Sequence, residues 1–117
     1  MRSDVLTISF DGDFVTRTIP DGMPVDLDTL QDIVGGYIET MTFRCGEDFF
    51  TLVCNEEGKL MGLPYNHFAT LISRVMPYDV IFGNVAIVKQ IGDQLYGLSR
   101  DEAQKIVNSR PRVEVLQ

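Results

Sequence analysis

Turn-forming residues interrupt this sequence at short intervals, and they limit each helix or strand to a short segment. Asp, Gly, Pro and Asn readily adopt tight or left-handed backbone, so clusters of these residues mark turns. The clusters lie at residues 11–13, 20–24, 35–36 and 55–58. Because the first cluster separates two β-rich runs, at residues 5–10 and 14–19, it indicates a β-hairpin near the start of the chain.

The remaining β-rich segments predict further strands of a sheet. They lie at residues 37–43, 49–54 and 80–88, with a short return strand at 59–61 and a last short strand at 112–117. The run at 80–88 is the most apolar of these and predicts a central strand, and the run at 49–54 is too apolar throughout for a sheet edge. We expect Phe49, Phe50 and Phe82 to lie in the core, since aromatic residues in strand-like runs are usually buried.

Capping signals predict three short helices. Asp26 is the predicted N-cap of the first helix, and Asn66 that of the second, which Pro77 ends. Ser99 and Glu102 form a capping box at the start of the third helix. The predicted apolar face of the first helix consists of Leu27, Leu30, Ile33 and Val34, and the helix ends at Gly35-Gly36. Residues 91–97 are predicted to be a loop, and Pro111 is predicted to end the third helix. The fold class is therefore α+β, a mainly antiparallel sheet of about five or six strands with three short helices.

Composition is typical of one ordinary globular domain, which we assign to residues 1–117. The chain is 44% hydrophobic and 23% charged, a balance that argues against general disorder. No apolar run approaches the roughly 20 residues of a membrane span, so no membrane partner is expected. The start, Met1-Arg2-Ser3-Asp4, is unlike a signal peptide, and we expect a cytoplasmic protein. Cys45 and Cys54 are expected to be small, buried, reduced thiols.

Charge is distributed unevenly along the chain. Residues 1–58 carry three basic and twelve acidic side chains, whereas residues 59–117 carry seven basic and five acidic ones, which gives the net charge of −7. Duplex nucleic acid is disfavoured as a partner, because phosphate binding needs clustered Lys and Arg. The second half could supply a small basic pocket for a phosphorylated ligand. Its candidate cations are Lys59, Arg74, Lys89, Arg100 and Lys105.

The sequence contains no recognisable catalytic or metal-binding constellation. His67 is the single histidine, so the spacing of a histidine metal site is absent, and no phosphate-binding glycine loop occurs. We therefore predict no catalytic residue, no metal site and no cofactor. A small hydrolase-like enzyme that pairs Cys45 or Cys54 with His67 remains an open alternative.

The most distinctive segment is residues 55–66, N-E-E-G-K-L-M-G-L-P-Y-N. Loops held between a sheet and a helix are common binding sites, and Lys59, Tyr65 and Asn66 are the predicted binding residues here. Arg74 is added to them as a possible phosphate ligand. The alternative is that a turn, a connection and a capped helix need these same residues for folding alone.

This segment also carries a resemblance to a known family. Residues 55–60 (N-E-E-G-K-L), the run G-L-P at 62–64 with Asn66, and Gly83-Asn84 before the apolar residues 85–88 resemble a family of small domains of unknown function. Members of that family are encoded by phages, plasmids and bacterial genomes. The resemblance covers about residues 33–88 and implies a mobile-element context, and it assigns no site residue.

Several functional hypotheses follow. The leading one is a non-catalytic binding protein of a phage or other mobile element, which sequesters a small nucleotide-like ligand or inhibits a host protein. The second version predicts that an acidic face, which could mimic nucleic acid charge, binds the host protein. That face would consist of Asp26, Asp28, Asp32, Glu47 and Asp48. A structural oligomeric subunit is a further alternative, and homo-oligomerisation is expected under either reading.

Overall fold

The computed structural model describes residues 2–20, 22–73 and 80–109. In chain order its elements are β1 (Arg2–Ile8), β2 (Phe14–Pro20), α1 (Leu27–Val34), β3 (Ile38–Cys45), β4 (Asp48–Asn55), α2 (His67–Ser73), β5 (Val85–Ile91), β6 (Gln94–Tyr96) and α3 (Arg100–Asn108). The strands form an antiparallel sheet in the order β2-β1-β5-β4-β3, and β6 pairs with β5 outside that path. This arrangement confirms the predicted α+β class. The predicted strand at 112–117 and the predicted helix ends at Pro77 and Pro111 lie outside the described residues.

Helices cover both faces of the sheet, so its central strands are buried at successive positions. Neighbouring side chains of a strand point to opposite faces. The face toward α2 and α3 is built from Leu6, Ile8, Leu52, Val85 and Ile87, and the face toward α1 from Val5, Val53, Ala86 and Val88. Since β5 lies between β1 and β4, residues 85–88 are all buried, which is why this segment is apolar without alternation.

The capping signals act as predicted at both well-marked helices. Asp26 accepts a hydrogen bond from the Thr29 backbone N–H at 2.7 Å, and Gly35 ends α1 in the left-handed conformation at φ 79°. Ser99 and Glu102 form the complete capping box of α3, with hydrogen bonds of 3.1 and 2.9 Å in the two directions.

Two strand predictions were wrong. Residues 59–61, predicted as a short strand, are a turn, because the N–H groups of Met61 and Gly62 bond back to the carbonyls of Glu57 and Lys59. Residues 91–97, predicted as a loop, contain β6, which forms a hairpin with β5 through the turn at residues 92–93. A strand of three residues is too short to show a periodicity, and β6 was missed for that reason.

Two burial predictions also need correction. Phe49 is 64% exposed, because it lies at the start of β4 on the face that α1 covers only farther along the sheet. Leu27 is 54% exposed, although it belongs to the helical repeat of Leu30 and Ile33, which are buried. Phe50 is fully buried as expected and Phe82 is half-buried.

Candidate functional site

A buried asparagine fixes each end of the segment 55–66. At its start, the Asn55 side-chain Nδ2 donates to the Val34 carbonyl at 3.1 Å, and Oδ1 accepts from the Glu57 N–H at 2.8 Å. The first bond ties the segment to the end of α1, and the second closes an Asx turn. Asn55 therefore sets the direction in which the chain leaves β4.

Asn66 performs the same task at the other end, from a position with no exposed surface. Its Nδ2 donates to the carbonyls of Ile8 and Gly83 at 3.0 and 2.8 Å, and its Oδ1 accepts from the Ala69 N–H at 3.0 Å. Both amide hydrogens and the carbonyl oxygen are thus used by the backbone of three different segments. Asn66 enters the candidate site as the residue that positions its neighbours, and its side chain faces the interior.

Lys59 and Tyr65, the other predicted binding residues of the segment, both lie beside Phe82. Tyr65 forms an isolated antiparallel bridge with Phe82, with ring centroids 6.3 Å apart, and the Tyr65 hydroxyl lies 3.4 Å from Nδ1 of His67. Lys59 and Phe82 line a cleft of about 100 Å³, together with the carboxylates of Glu39 and Glu56. This volume is well below the ~300–1,000 Å³ of typical small-molecule sites, and the two carboxylates oppose an anionic ligand.

The turn carries its apolar side chains outward. Leu60 is 89% exposed, and Met61 and Tyr65 are about half exposed, although backbone hydrogen bonds from Gly58, Met61, Gly62 and Leu63 hold the turn that bears them. We call residues 55–66, with these three exposed side chains, the Leu60 turn. Apolar groups held in water on an ordered backbone are typical of a recognition surface.

Of the basic residues proposed for a phosphate pocket, Lys59 lies apart from Lys89 and Lys105. Lys89 forms an ion pair with Glu102 at 3.0 Å, and Lys105 forms one with Asp48 at 2.8 Å. Both contacts lie beside α3, whereas Lys59 lies at the opposite end of β5, and Arg74 is outside the described residues. The sequence could not show this, because each lysine finds its carboxylate partner only through the tertiary fold.

These ion pairs shift the pKa values of their members. The hydrogen bond from Lys105 lowers the pKa of the Asp48 carboxyl, and the same bond raises the pKa of Lys105. Partial burial alone would raise the pKa of Glu102, but hydrogen bonds from Ser99 and Lys89 outweigh it, and the pKa of this carboxyl is lowered overall. Lys89 and Lys105 are thus each paired with a carboxylate of the fold.

The five carboxylates predicted to form one acidic face do not share a face. Asp26, Asp28 and Asp32 belong to α1 or its N-cap, on one side of the sheet. Asp48 and its neighbour Glu47 lie at the β3–β4 turn, where Asp48 pairs with α3 on the other side of the sheet. The prediction was wrong because α1 and the β3–β4 turn, close in the sequence, are separated by the whole sheet.

A larger cleft, not predicted from the sequence, lies between the N-terminal end of α1 and the β5–β6 hairpin. Its volume is about 480 Å³. It is lined by Pro24, Val25, Asp26, Leu27, Leu30, Ile38, Asp93, Gln94 and Leu95. We call it the α1 cleft. The carboxyl of Asp26 lies at the rim of this cleft. Hydrogen bonds from Thr29, chiefly from its side chain and also from its backbone, lower the pKa of that carboxyl. The turn pair Gly92-Asp93 was the available signal for the hairpin that forms one wall.

In residues 2–20, 22–73 and 80–109, no three His, Cys, Asp or Glu side chains are placed to hold a metal ion. Over the same residues, no helix has both the length and the apolar character needed to cross a membrane.

Comparison with known proteins identifies the family alone. No curated protein and no solved structure matches the sequence. One family model matches residues 1–109, nearly the whole chain, which agrees with the resemblance noted in the segment 55–66. The chain therefore belongs to the family described as Domain of unknown function (DUF3846).

Proposed function

We propose that this domain is a non-catalytic binding protein of a phage or other mobile element, and that it inhibits a host protein by binding it through the Leu60 turn. The observation that carries the proposal is Leu60 itself, which is 89% exposed on a backbone fixed at both ends by buried asparagines. An exposed leucine on a mobile loop would not indicate a binding surface, whereas the position of Leu60 is set by the fold.

The fixed backbone matters for affinity. Burying one leucine side chain in a partner contributes about 1.5–3 kcal/mol, and a binding loop that is already ordered loses little conformational entropy on association. Tyr65 adds an aromatic ring with a hydroxyl group, the kind of side chain enriched at the energetic centres of interfaces. Met61 adjoins them as an adaptable apolar contact.

Sequestration of a nucleotide-like ligand is the second candidate, and one observation favours it. Lys59 shares a cleft with Phe82, and the Tyr65 ring lies 6.3 Å from the Phe82 ring, so a cation and an aromatic ring flank the same residue. The small volume of the cleft and its carboxylates favour the protein-binding version. A thermal-shift screen of nucleotides distinguishes them, since a shift abolished by Tyr65→Ala would support sequestration.

The setting of the protein is part of the proposal. The mobile-element context is supported by the sequence resemblance, and the cytoplasmic location by the composition of the chain. Self-association is supported by β2 and β3, which lie at the two ends of the strand order and can pair with a second copy. Native mass spectrometry would report the oligomeric state directly.

Site-specific photo-crosslinking in the native host tests the proposed interface. A photoreactive residue replaces Leu60 in one variant, and in the matched control it replaces Val15, an exposed apolar residue of β2. We expect a discrete crosslinked host protein from position 60 that is lost when Met61→Glu is added, and no crosslinked host protein from position 15, where only a second copy of this chain is expected to bind. The same products at both positions, or none at position 60, would refute the proposal.

A further inference from the structure

The walls of the α1 cleft are held together by backbone contacts. The Val25 N–H donates to the Leu95 carbonyl at 2.7 Å, and Pro24 forms an antiparallel bridge with Tyr96. These contacts hold the β5–β6 hairpin against the segment that leads into α1. The backbone of both walls is therefore fixed by the fold.

The floor of the cleft is apolar. Leu30 and Val25 are buried and belong to the core cluster beneath α1, and Ile38 and Leu95 pack against that cluster. Leu27 forms an open lip, which explains why it is exposed despite its place in the helical repeat. The volume of about 480 Å³ falls within the range of ~300–1,000 Å³ found for small-molecule sites.

The charged groups of the cleft have one sign. Its lining includes the carboxylates of Asp26 and Asp93 and no Lys, Arg or His. In the part of the chain that the structure describes, neither carboxylate belongs to an ion pair. Asp26 remains ionised at neutral pH, because its hydrogen bonds with Thr29 favour the charged form and lower its pKa. An anionic ligand is opposed here, and a cationic group is attracted.

We propose that the α1 cleft binds a small amphipathic organic cation, with its apolar chain against Leu30 and Leu95 and its ammonium group near the carboxylates of Asp26 and Asp93. The apolar floor selects the chain and the carboxylates select the charge, so neither a fatty acid nor a simple inorganic cation satisfies both. This site is separate from the Leu60 turn, because the two share no lining residue.

An NMR titration with three ligands of matched chain length tests the proposal. The ligands are n-octylammonium, n-octanol and octanoate, each below its aggregation concentration, and chemical shifts of the full chain report the position and affinity of binding. We expect octylammonium to bind most tightly and to shift Leu27, Leu30 and Leu95. In a series from butyl- to octylammonium, affinity should rise by up to about fourfold per methylene.

Two carboxylate variants separate specific binding from general charge attraction. Asp93→Asn keeps a residue suited to the turn, and we expect octylammonium to bind about two- to fivefold more weakly while octanol is unchanged. Asp28→Asn is the matched control, since it removes the same charge from α1 without lining the cleft. Met61→Glu changes the Leu60 turn and should leave this titration unaltered. A negative result in the crosslinking test would therefore count against the Leu60 turn and not against the α1 cleft.

Three results would overturn the inference. The first is equal affinity for the three ligands, the second is shifts that lie outside the cleft, and the third is an effect of Asp28→Asn as large as that of Asp93→Asn. Far-UV circular dichroism of both variants would establish that each is folded, so that a loss of binding is assigned to the charge. Asp26→Ser provides an independent check, because serine keeps the N-cap and removes the carboxylate.

Discussion

Replacing Asn66 should destabilise this domain far more than loss of an ordinary helix cap. The side chain is completely buried and joins three segments, through bonds to Ile8, Gly83 and Ala69. Asn66→Ala leaves two carbonyls and one N–H of the backbone without these partners. An unsatisfied buried group costs about 1–3 kcal/mol, and loss of an N-cap costs about 0.5–2 kcal/mol. Since relaxation recovers part of that sum, we expect the free energy of unfolding to fall by about 3–5 kcal/mol.

Asn66→Asp is the more discriminating variant. Asn and Asp are nearly equivalent as N-caps, so a residue that only capped α2 would tolerate the change. Here the aspartate would place carboxylate oxygens where the amide now donates to two carbonyls, at 3.0 and 2.8 Å. We expect a loss at pH 7 at least as large as that of alanine. The loss should shrink as pH falls, because burial raises the folded-state pKa of this carboxyl above its unfolded value of about 3.9.

Urea denaturation followed by circular dichroism measures both effects. The dependence of the free energy of unfolding on urea should be unchanged, since the folded and unfolded surfaces are the same. Asn108→Asp is the control, because it makes the same chemical change at an exposed position of α3 and should cost less than about 1 kcal/mol. An Asn66→Asp protein within about 1 kcal/mol of the wild type at pH 7 would refute the reasoning.

Two further predictions concern a charge and a glycine. Glu102→Gln should lose about 1 kcal/mol at neutral pH, because the ion pair with Lys89 is lost. The pKa of Glu102 is lowered in the fold, so the stabilisation by its charge is present above the ordinary pKa of 4.5 and disappears as pH falls through the lowered value. The free energies of unfolding of the two proteins, measured by urea denaturation from pH 7 to 3, should therefore converge. Gly12→Ala should cost about 2–3 kcal/mol, because φ is 90° and the new Cβ would lie 2.5 Å from a ring carbon of Phe68. Gly35→Ala shares the positive φ and meets no described atom within 4 Å, so thermal unfolding should show a smaller loss there, and equal losses would remove the role of the Phe68 contact.

Local signals predicted the parts of the fold that depend on neighbouring residues. The caps at Asp26, Gly35 and Ser99 act between groups three or four residues apart, and the apolar run ending at Val88 records burial on both faces of a sheet. The order of the strands and the position of α1 opposite α3 depend on contacts between distant segments. For that reason the separation of Asp48 from the α1 carboxylates could not be predicted from the sequence.

The sites show the same division. The sequence marked the segment 55–66 as distinctive, but it could not show which of its polar residues faced inward. Asn66 is a polar residue of the kind that binds ligands, and it is buried. Leu60 is an apolar residue of the kind that fills cores, and it is exposed. The α1 cleft was missed because it arises where the β5–β6 hairpin meets the start of α1, a contact between residues about 70 positions apart.

Several residues that carry the resemblance to the family have a structural task in this chain. Asn55 and Asn66 anchor the two ends of the segment, and a side chain at Gly58 would come within 3.1 Å of the Phe82 carbonyl. Asn84 accepts a hydrogen bond from the Phe10 N–H at 3.2 Å. All four of these residues belong to the sequence pattern that carries the resemblance, and each has a structural task in this chain. In this chain those residues therefore serve the fold, while side chains between them, such as Leu60 and Met61, face solvent.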